Sequence, residues 1–245
     1  MPAGKAVYFL SDAHLGGEAK EWEAVRESRL HRFLSHVGSH GAALYVVGDL
    51  FDFWFEYRTA IPRRHFEMLA ALREVRRAGV EVHYLTGNHD FWLGSFLAEE
   101  LGIVTHPGAV TPILQGRRLW IHHGDGLVGG DLGYRVLKRV MRHPASIRLF
   151  GLLHPDLAFP LARVFSSWSR GARPRHPLDG ERLWREIAEP RFAEGYDTVM
   201  VGHFHHVYER RDGSRAFFVL GDWMEHFTYV VLEEGELGLR IWPET

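Results

Sequence analysis

Five short apolar segments of this chain each end in a turn that carries Asp, Asn or His, and no other feature restricts the fold as much. The segments are rich in β-branched and aromatic side chains, which is typical of buried strands. They are Ala6–Leu10, Ala43–Val47, Val80–Leu85, Leu119–His122 and Thr198–Val201. Helical periodicity separates the first three, from Trp22 to Val37 and again from Pro62 to Ala78. Strands that alternate with helices predict an α/β fold with a largely parallel sheet core.

Two parts of the chain depart from this alternation. Near the C-terminus, three apolar segments predict antiparallel strands, the last two joined by a Gly-containing turn. They are Ala216–Leu220, Phe227–Leu232 and Leu237–Ile241. From Leu132 to Arg175 the sequence has helical periodicity, with interruptions expected near Pro155 and Pro160. We interpret this range as a helical insertion into a single domain of residues 1–245.

Composition excludes several classes of protein. The chain has 46% hydrophobic and 24% charged residues, which is ordinary for a globular protein and excludes disordered and fibrous classes. It has no cysteine, so disulfides and thiolate metal sites are excluded. The sequence shows no secretory signal and no spanning helix, so we expect a cytoplasmic protein. With a formal net charge of −2 we expect no nucleic-acid partner, and no obligate protein partner is evident.

The turns after the predicted strands carry residue types that bind divalent metal ions. They contain Asp12-x-His14, Gly48-Asp49, Gly87-Asn88-His89-Asp90, His123-Gly124-Asp125 and Gly202-His203-Phe204-His205. Because ligands bind at the carboxyl ends of strands in such sheets, we expect these side chains to converge. Carboxylate, imidazole and amide groups without sulfur suit Mn²⁺, Fe²⁺ or Zn²⁺. One Asp-x-His pair alone would more often have no metal role, but five such motifs in order favour a metal site.

This ordered set of motifs resembles that of the calcineurin-like metallophosphoesterases, from Tyr8 to Asp222. The resemblance implies a β-sandwich flanked by helices, with a dinuclear metal site at one edge. It implies one ion bound by Asp12, His14 and His205, a second bound by Asn88, His123 and His203, and Asp49 bridging the two. It also implies that His89, oriented by Asp90, stabilises or protonates the oxygen of the leaving group.

The chemistry of such a site agrees with these roles. Two divalent ions about 3.5–4 Å apart can hold a phosphoryl oxygen and lower the pKa of a water molecule. A carboxylate between the ions offsets their mutual repulsion. A histidine that binds no metal can act as a general acid near neutral pH. These features predict hydrolysis of a phosphate ester.

Longer motifs give a closer resemblance, to the UDP-2,3-diacylglucosamine hydrolases of lipid A synthesis. They are Gly48 to Tyr57, Gly87 to Trp92, Asp131-x-x-Tyr134 and Gly221-Asp222-Trp223. This resemblance implies cleavage of the pyrophosphate of UDP-2,3-diacylglucosamine to UMP and 2,3-diacylglucosamine 1-phosphate. It implies two divalent ions, Mn²⁺ foremost, and a helical insertion that covers the site as a cap. The best-known members carry Arg where this chain has His89.

The insertion has a composition that suits such a substrate. Between Leu132 and Arg175 it has nine Lys or Arg residues and one acidic residue, Asp156, interleaved with Leu and Phe. Basic amphipathic helices bind anionic lipid, so we expect a protein that is peripheral at the inner membrane. Periodicity alone fits equally well with helices that only pack on the core. The residues expected to contact the UDP-linked diacylated sugar are Asn88, Asp131, Tyr134, Arg135, Lys138 and Arg170.

Two other functions stay open from the sequence. One is a metallophosphoesterase with another substrate, such as a phosphodiesterase, a nucleotide phosphohydrolase or a protein phosphatase. A nucleic-acid enzyme would need a basic track along an exposed groove, whereas the basic segment here is mixed with apolar residues. The other is a non-catalytic scaffold of the same fold, which the complete set of ligand motifs disfavours.

Overall fold

Two β-sheets form the frame of the computed structural model, which describes residues 5–17, 20–128, 139–162 and 179–244. The first sheet has six strands in the order β11-β10-β1-β2-β3-β4, and the second has five in the order β5-β6-β7-β9-β8. The strands are β1 (Ala6–Leu10), β2 (Gly41–Val47), β3 (Glu81–Leu85), β4 (Val104–His106), β5 (Ile113–Leu114), β6 (Arg117–His122), β7 (Thr198–Val201), β8 (Val207–Asp212), β9 (Arg215–Leu220), β10 (Thr228–Glu233) and β11 (Glu236–Ile241).

The strand pairing confirms the predicted parallel core and corrects one prediction. Strands β1 to β4 pair in parallel, and so do β6, β7 and β9. Strands β10 and β11 form the expected antiparallel hairpin. Strand β9, predicted as antiparallel, lies in the other sheet, parallel to β7 and antiparallel to β8. The sequence did not predict β8, because this edge strand reads Val-Tyr-Glu-Arg-Arg-Asp and lacks an apolar run.

Helices surround the two sheets. They are α1 (Lys20–His40), α2 (Phe66–Arg77), α3 (Phe96–Glu99), α4 (Pro144–Phe150), α5 (Gly180–Leu183) and α6 (Glu189–Ala193), with a 3₁₀ turn at Arg63–His65 and a π-helical turn at Trp184–Ala188. Residues 139–141 and 155–162 are also helical. The second of these segments continues past Pro160, where an interruption was predicted. Ala158 and Ala162, four residues apart on one helix face, are buried, and Pro160 removes one backbone N–H from the helix.

Three apolar clusters build the layers. Side chains such as Phe9, Val47 and Phe218 fill the space between the two sheets. Helices α1 and α2 pack on the outer face of the first sheet, and residues 180–193 pack on the second. The sandwich flanked by helices is therefore confirmed.

The described part of the insertion sits on an aromatic surface of the core. The ring of Phe150 in α4 lies 5.8 Å from Phe53, 4.9 Å from Phe55 and 4.8 Å from Trp92, measured between centroids. The indole N–H of Trp92 donates to the carbonyl of Met141 at 3.0 Å. Among the described residues, no helix has both the length and the apolar character needed to span a bilayer.

Candidate metal centre

The turns that follow β1, β2, β3, β6 and β7 meet at one edge of the sandwich. Backbone hydrogen bonds join the first two turns, from Asp12 N to Gly48 O at 3.1 Å and from His14 N to Asp49 O at 2.9 Å. Five residues of these turns have a positive φ, although none is glycine: Asp12, His14, Asp49, His203 and His205. Such conformations are costly for residues with a side chain, and they persist at functional sites where the surroundings enforce them.

The first cluster consists of Asp12, His14 and His205. The Nε2 atoms of the two histidines lie 3.1 Å apart. The Oδ1 atom of Asp12 lies 3.7 Å from Nε2 of His14 and 3.5 Å from Nε2 of His205. One atom from each side chain could therefore contact a single ion.

The second cluster consists of Asn88, His123, His203 and Asp49. Nε2 of His123 is 3.2 Å from Oδ2 of Asp49 and 3.1 Å from Oδ1 of Asn88. Nδ1 of His123 is 2.9 Å from the carbonyl oxygen of Val47, which holds the ring with Nε2 towards the cluster. The ligand atoms of Asp49, His123 and His203 all lie within 4.8 Å of one another.

Asp49 connects the two clusters. Its Oδ2 atom also lies 3.6 Å from Nε2 of His14, and its Oδ1 atom accepts a 2.8 Å hydrogen bond from the backbone N–H of His89. The structure thus places Asp49 between the two clusters. The predicted roles of these residues as metal ligands stay a prediction.

The charges at this edge are those of a cation site. Burial alone would raise the pKa of Asp12 and of Asp49, but the facing histidines lower both, that of Asp49 well below its usual range. Burial alone would lower the pKa of His123, yet Asp49 raises it to about 10. Oδ1 of Asp12 is buried and accepts no hydrogen bond. Ionised, buried oxygen atoms and imidazole nitrogens in this arrangement fit a divalent ion.

His89 lies beside both clusters, and its ring is held by Asp52. One ring nitrogen of His89 is within 4.8 Å of the ligand atoms of His14 and Asp49. Its Nδ1 atom donates to the backbone carbonyl of Asp52 at 3.0 Å. Burial lowers the pKa of His89 to about 4, so the ring is neutral in this state.

The predicted orienting role of Asp90 stays a prediction. Its Oδ1 accepts from Gly87 N at 2.8 Å, and its Oδ2 from Leu50 N at 2.9 Å and from the hydroxyl of Tyr84 at 2.5 Å. Burial, together with the charge of Asp49, raises the pKa of Asp90 to about 6. Asp90 fixes the two turns to each other, and Asp52 holds the His89 ring.

Sequence reasoning missed the contribution of Asp222 and Arg142. Asp222, in the turn after β9, lies with Oδ2 at 3.7 Å from Nδ1 of His205. Burial alone would raise the pKa of Asp222, but the facing His205 ring and hydrogen bonds from neighbouring donors hold it well below its usual range. Arg142, in the insertion, donates to Gly87 O at 3.0 Å. Both residues had a signal in the sequence, Asp222 in its Gly-Asp-Trp motif and Arg142 among the basic residues of the insertion.

Five predicted substrate contacts lie outside the described residues: Asp131, Tyr134, Arg135, Lys138 and Arg170. Of the predicted substrate-binding set, Asn88 is described, and it lies in the second cluster.

Comparisons with known proteins identify the family. No protein-family model matches the chain. It is 32% identical over 257 residues to UDP-2,3-diacylglucosamine hydrolase from Porphyromonas gingivalis, an alignment that covers 96% of each protein. It is 37% identical over 241 residues to the protein of the same name from Photorhabdus laumondii subsp. laumondii, covering 96% of this chain and 98% of the relative. The chain belongs to the UDP-2,3-diacylglucosamine hydrolase family.

Membership of the UDP-2,3-diacylglucosamine hydrolase family agrees with the site. The protein is a hydrolase of the metallophosphoesterase kind, with residues that could hold divalent metal ions. Among solved structures, an archaeal phosphodiesterase is similar with a TM-score of 0.48 and 12% identity, over 96% of this chain and 99% of the other. Vacuolar protein sorting 29 from Cryptosporidium parvum is similar with a TM-score of 0.47 and 14% identity, over 97% and 96%.

Proposed function

We propose that this protein hydrolyses the pyrophosphate bond of UDP-2,3-diacylglucosamine, giving UMP and 2,3-diacylglucosamine 1-phosphate. The observation that carries the proposal is the pair of Asp/His clusters joined by Asp49. It is supported by relatives that are named for this activity and that align with the chain over almost their whole length. Asp12, His14 and His205 would hold one divalent ion. Asn88, His123 and His203 would hold a second, and Asp49 would contact both.

Two divalent ions, when bound, would polarise a phosphoryl oxygen and lower the pKa of a nearby water molecule. We take Mn²⁺ as the first choice, and Fe²⁺ and Zn²⁺ also suit this donor set. The protein supplies the rigid frame, because the ligand side chains stand on short turns whose backbones are hydrogen-bonded to one another. Such preorganisation is what electrostatic stabilisation of a transition state requires.

His89 is proposed to act on the leaving group. Its Nδ1–H is committed to the carbonyl of Asp52, so Nε2 is the atom that can meet a substrate oxygen. Once protonated, Nε2 can donate to the phosphate oxygen that separates from the scissile phosphorus. The negative charge of a bound pyrophosphate favours that protonation.

The insertion is proposed to hold the lipid part of the substrate and to contact an anionic membrane. Leu149, Leu152 and Leu157 are exposed on its surface, and so are its basic residues Arg139 and Arg148. Buried apolar area and attraction to anionic lipid together drive interfacial binding. Asp131, Tyr134, Arg135, Lys138 and Arg170 remain proposed contacts of the diphosphate and sugar.

The deciding experiment uses purified protein loaded with Mn²⁺ and UDP-2,3-diacylglucosamine in detergent micelles, with products identified by mass spectrometry. Release of UMP together with 2,3-diacylglucosamine 1-phosphate supports the reaction, the substrate and the cleaved bond together. Turnover of a soluble phosphodiester without turnover of the lipid would retain the phosphoesterase and reject the lipid substrate. Absence of both activities would favour a non-catalytic scaffold.

A further inference from the structure

The turn after β9 holds a carboxylate that is fixed on one side and faces histidines on the other. Oδ1 of Asp222 accepts three backbone N–H groups in succession, from Met224 at 2.9 Å, Glu225 at 2.7 Å and His226 at 3.1 Å. Asp222 is buried, with 2% of its surface exposed. Its Oδ2 atom is therefore held in one direction, because the three amides fix the orientation of the carboxylate plane.

That Oδ2 atom meets two imidazole rings. It lies 2.8 Å from Nδ1 of His226 and 3.7 Å from Nδ1 of His205. The opposite nitrogen of His205, Nε2, lies in the first cluster, 3.5 Å from Oδ1 of Asp12. The His205 ring thus spans the distance between Asp222 and the first cluster. A carboxylate at Nδ1 favours the tautomer in which Nδ1 carries the proton and Nε2 presents its lone pair to a metal ion.

The same turn also supports Asp12 through the backbone. The N–H of Trp223 donates to the carbonyl of Asp12 at 3.0 Å. The turn is itself fixed, since Thr228 donates through its hydroxyl to Leu220 O at 2.6 Å. A Cβ on Gly221, which has a φ of +74°, would lie 2.2 Å from the Thr228 hydroxyl oxygen. Little room is therefore left for the turn to move.

The second cluster is supported from elsewhere. Nδ1 of His123 pairs with Val47 O at 2.9 Å, and Nε2 pairs with Asn88 at 3.1 Å. Val47 is the last residue of β2, and Asn88 lies in the turn after β3. The His123 ring is therefore oriented by the carbonyl of Val47 and not by Asp222.

We propose that Asp222 is a positioning residue for His205 and controls metal affinity at the Asp12–His14–His205 cluster without affecting the Asn88–His123–His203 cluster. The proposal rests on the metal roles assigned under the proposed function. It is tested by metal binding without substrate, so its failure is distinct from failure of the lipid reaction.

The test is a double-mutant cycle measured by calorimetric titration of the metal-free protein with Mn²⁺. The variant D222N suits it, because the amide oxygen can still accept the three backbone N–H groups while an NH₂ group replaces Oδ2. In the H123A background, where the first cluster remains, D222N should weaken Mn²⁺ binding by about 10–100-fold, the usual effect of losing such an outer carboxylate. In the H205A background, D222N should have no further effect. Equal weakening in both backgrounds, or none in H123A, would overturn the proposal.

A matched control separates the carboxylate from the turn that carries it. The variant H226Q removes the other partner of Oδ2 and leaves the contact with His205, so it should retain wild-type Mn²⁺ affinity. A loss as large as that of D222N would overturn the proposal in favour of a general role of the turn.

A second measurement does not depend on the folding of D222N. In the Zn²⁺-loaded wild-type protein with ¹⁵N-labelled histidine, the Nδ1 proton of His205, assigned by its loss in H205Q, should exchange slowly with water. Rapid exchange of that proton would show that no carboxylate holds it and would overturn the proposal.

Discussion

At the scale of single residues, the site depends most on Asp49. It is buried, and its two oxygens face different partners. Among the described residues, it is the only side chain that belongs both to a group of possible metal ligands with His14 and to a group with His123. Its backbone has a φ of +52°, a conformation that Asn tolerates better than other residues with a side chain. The change of Asp49 to Asn therefore removes the charge with little effect on the backbone.

We expect D49N to lower turnover of a soluble phosphodiester by at least about 100-fold, since it removes a direct ligand, whose loss should exceed that of an outer group. Mn²⁺ binding measured by calorimetry should weaken as well. The matched control is D212N, at an exposed position in β8, which should behave as wild type. Turnover by D49N near the wild-type rate would contradict a site that needs this carboxylate between two ions.

The buried side chain of His65 leads to a separate prediction, about how the stability of the protein depends on pH. Its side chain is buried against Phe51, with ring centroids 4.3 Å apart, and burial lowers the pKa of His65 to about 3. An unfolded chain binds a proton at a histidine below a pH of about 6.5, whereas folded His65 does not. The stability that depends on neutral His65 is thus complete above that pH and is lost as the pH falls towards 3.

We expect the free energy of unfolding of the wild type to fall more steeply with decreasing pH than that of H65Q, by up to about 1.4 kcal/mol per pH unit below pH 6.5. Urea denaturation at pH 7, 6 and 5 measures both slopes. The change of the exposed His154 to Gln should leave the wild-type slope as it is. Parallel slopes for wild type and H65Q would show that His65 is not neutral in the folded state.

At the scale of elements, the sequence predicts what local patterns determine. The five strands that carry site turns are largely apolar and are followed within two residues by Gly, Asp or His, and each was found within two residues of its predicted start. The short strands β4, β5 and β8 were missed, because edge strands of two to six residues carry no apolar run that periodicity can detect. The placement of β9 between β7 and β8 is set by long-range pairing, which the sequence of one strand does not encode.

For the site, too, the sequence predicts what local motifs determine and not what depends on long-range contacts. Motifs predicted every side chain of the two clusters, because each lies directly after a buried strand. They did not predict that the backbone carbonyl of Asp52 accepts from His89, or that Asp222 faces His205. Those contacts depend on how turns from different strands meet.

The turns approach each other so closely that glycine is required at one meeting point. A Cβ on Gly87 would lie 2.0 Å from Oδ1 and 2.6 Å from the backbone nitrogen of Asp49. The change G87A must therefore displace Asp49 from the clusters. A Cβ on Gly108 would meet nothing within 4 Å, so G108A is its control.

We expect G87A to cost about 1–3 kcal/mol in the free energy of unfolding, the usual price of added volume in a packed site. It should also lose most Mn²⁺ binding, because the carboxylate shared by both clusters moves. G108A should change neither property. Thermal unfolding and calorimetric titration give both readouts, and wild-type Mn²⁺ affinity in G87A would mean that the turns can separate without loss of the site.

At the scale of the whole molecule, the residues that could bind metal lie at one edge of the sandwich. The described part of the insertion contacts the turns at this same edge. Arg142 and Phe150 fasten the insertion to the site turns, through Gly87 O and the aromatic rings of Phe53, Phe55 and Trp92. Arg142 and Phe150 face the core, whereas Leu149, Leu152 and Leu157 of the insertion are exposed. A lipid substrate leaves a membrane most directly when exposed apolar groups lie close to the reactive site.

Variants at two equally exposed apolar side chains can distinguish specific membrane binding by the insertion from nonspecific hydrophobic binding by the protein surface. Leu149 in the insertion and Ile113 in the edge strand β5 are each 70% exposed. We expect L149E to weaken binding to vesicles that contain phosphatidylglycerol by at least about tenfold, since burying one leucine contributes about 1.5–3 kcal/mol. I113E should bind as wild type, and both should retain hydrolysis of a soluble phosphodiester. Co-sedimentation measures the binding of both variants to vesicles. The two substitutions change charge and apolar area equally and differ only in their place in the molecule. Equal vesicle binding by L149E and I113E would therefore mean that the exposed leucines of the insertion do not bind the membrane and serve another partner.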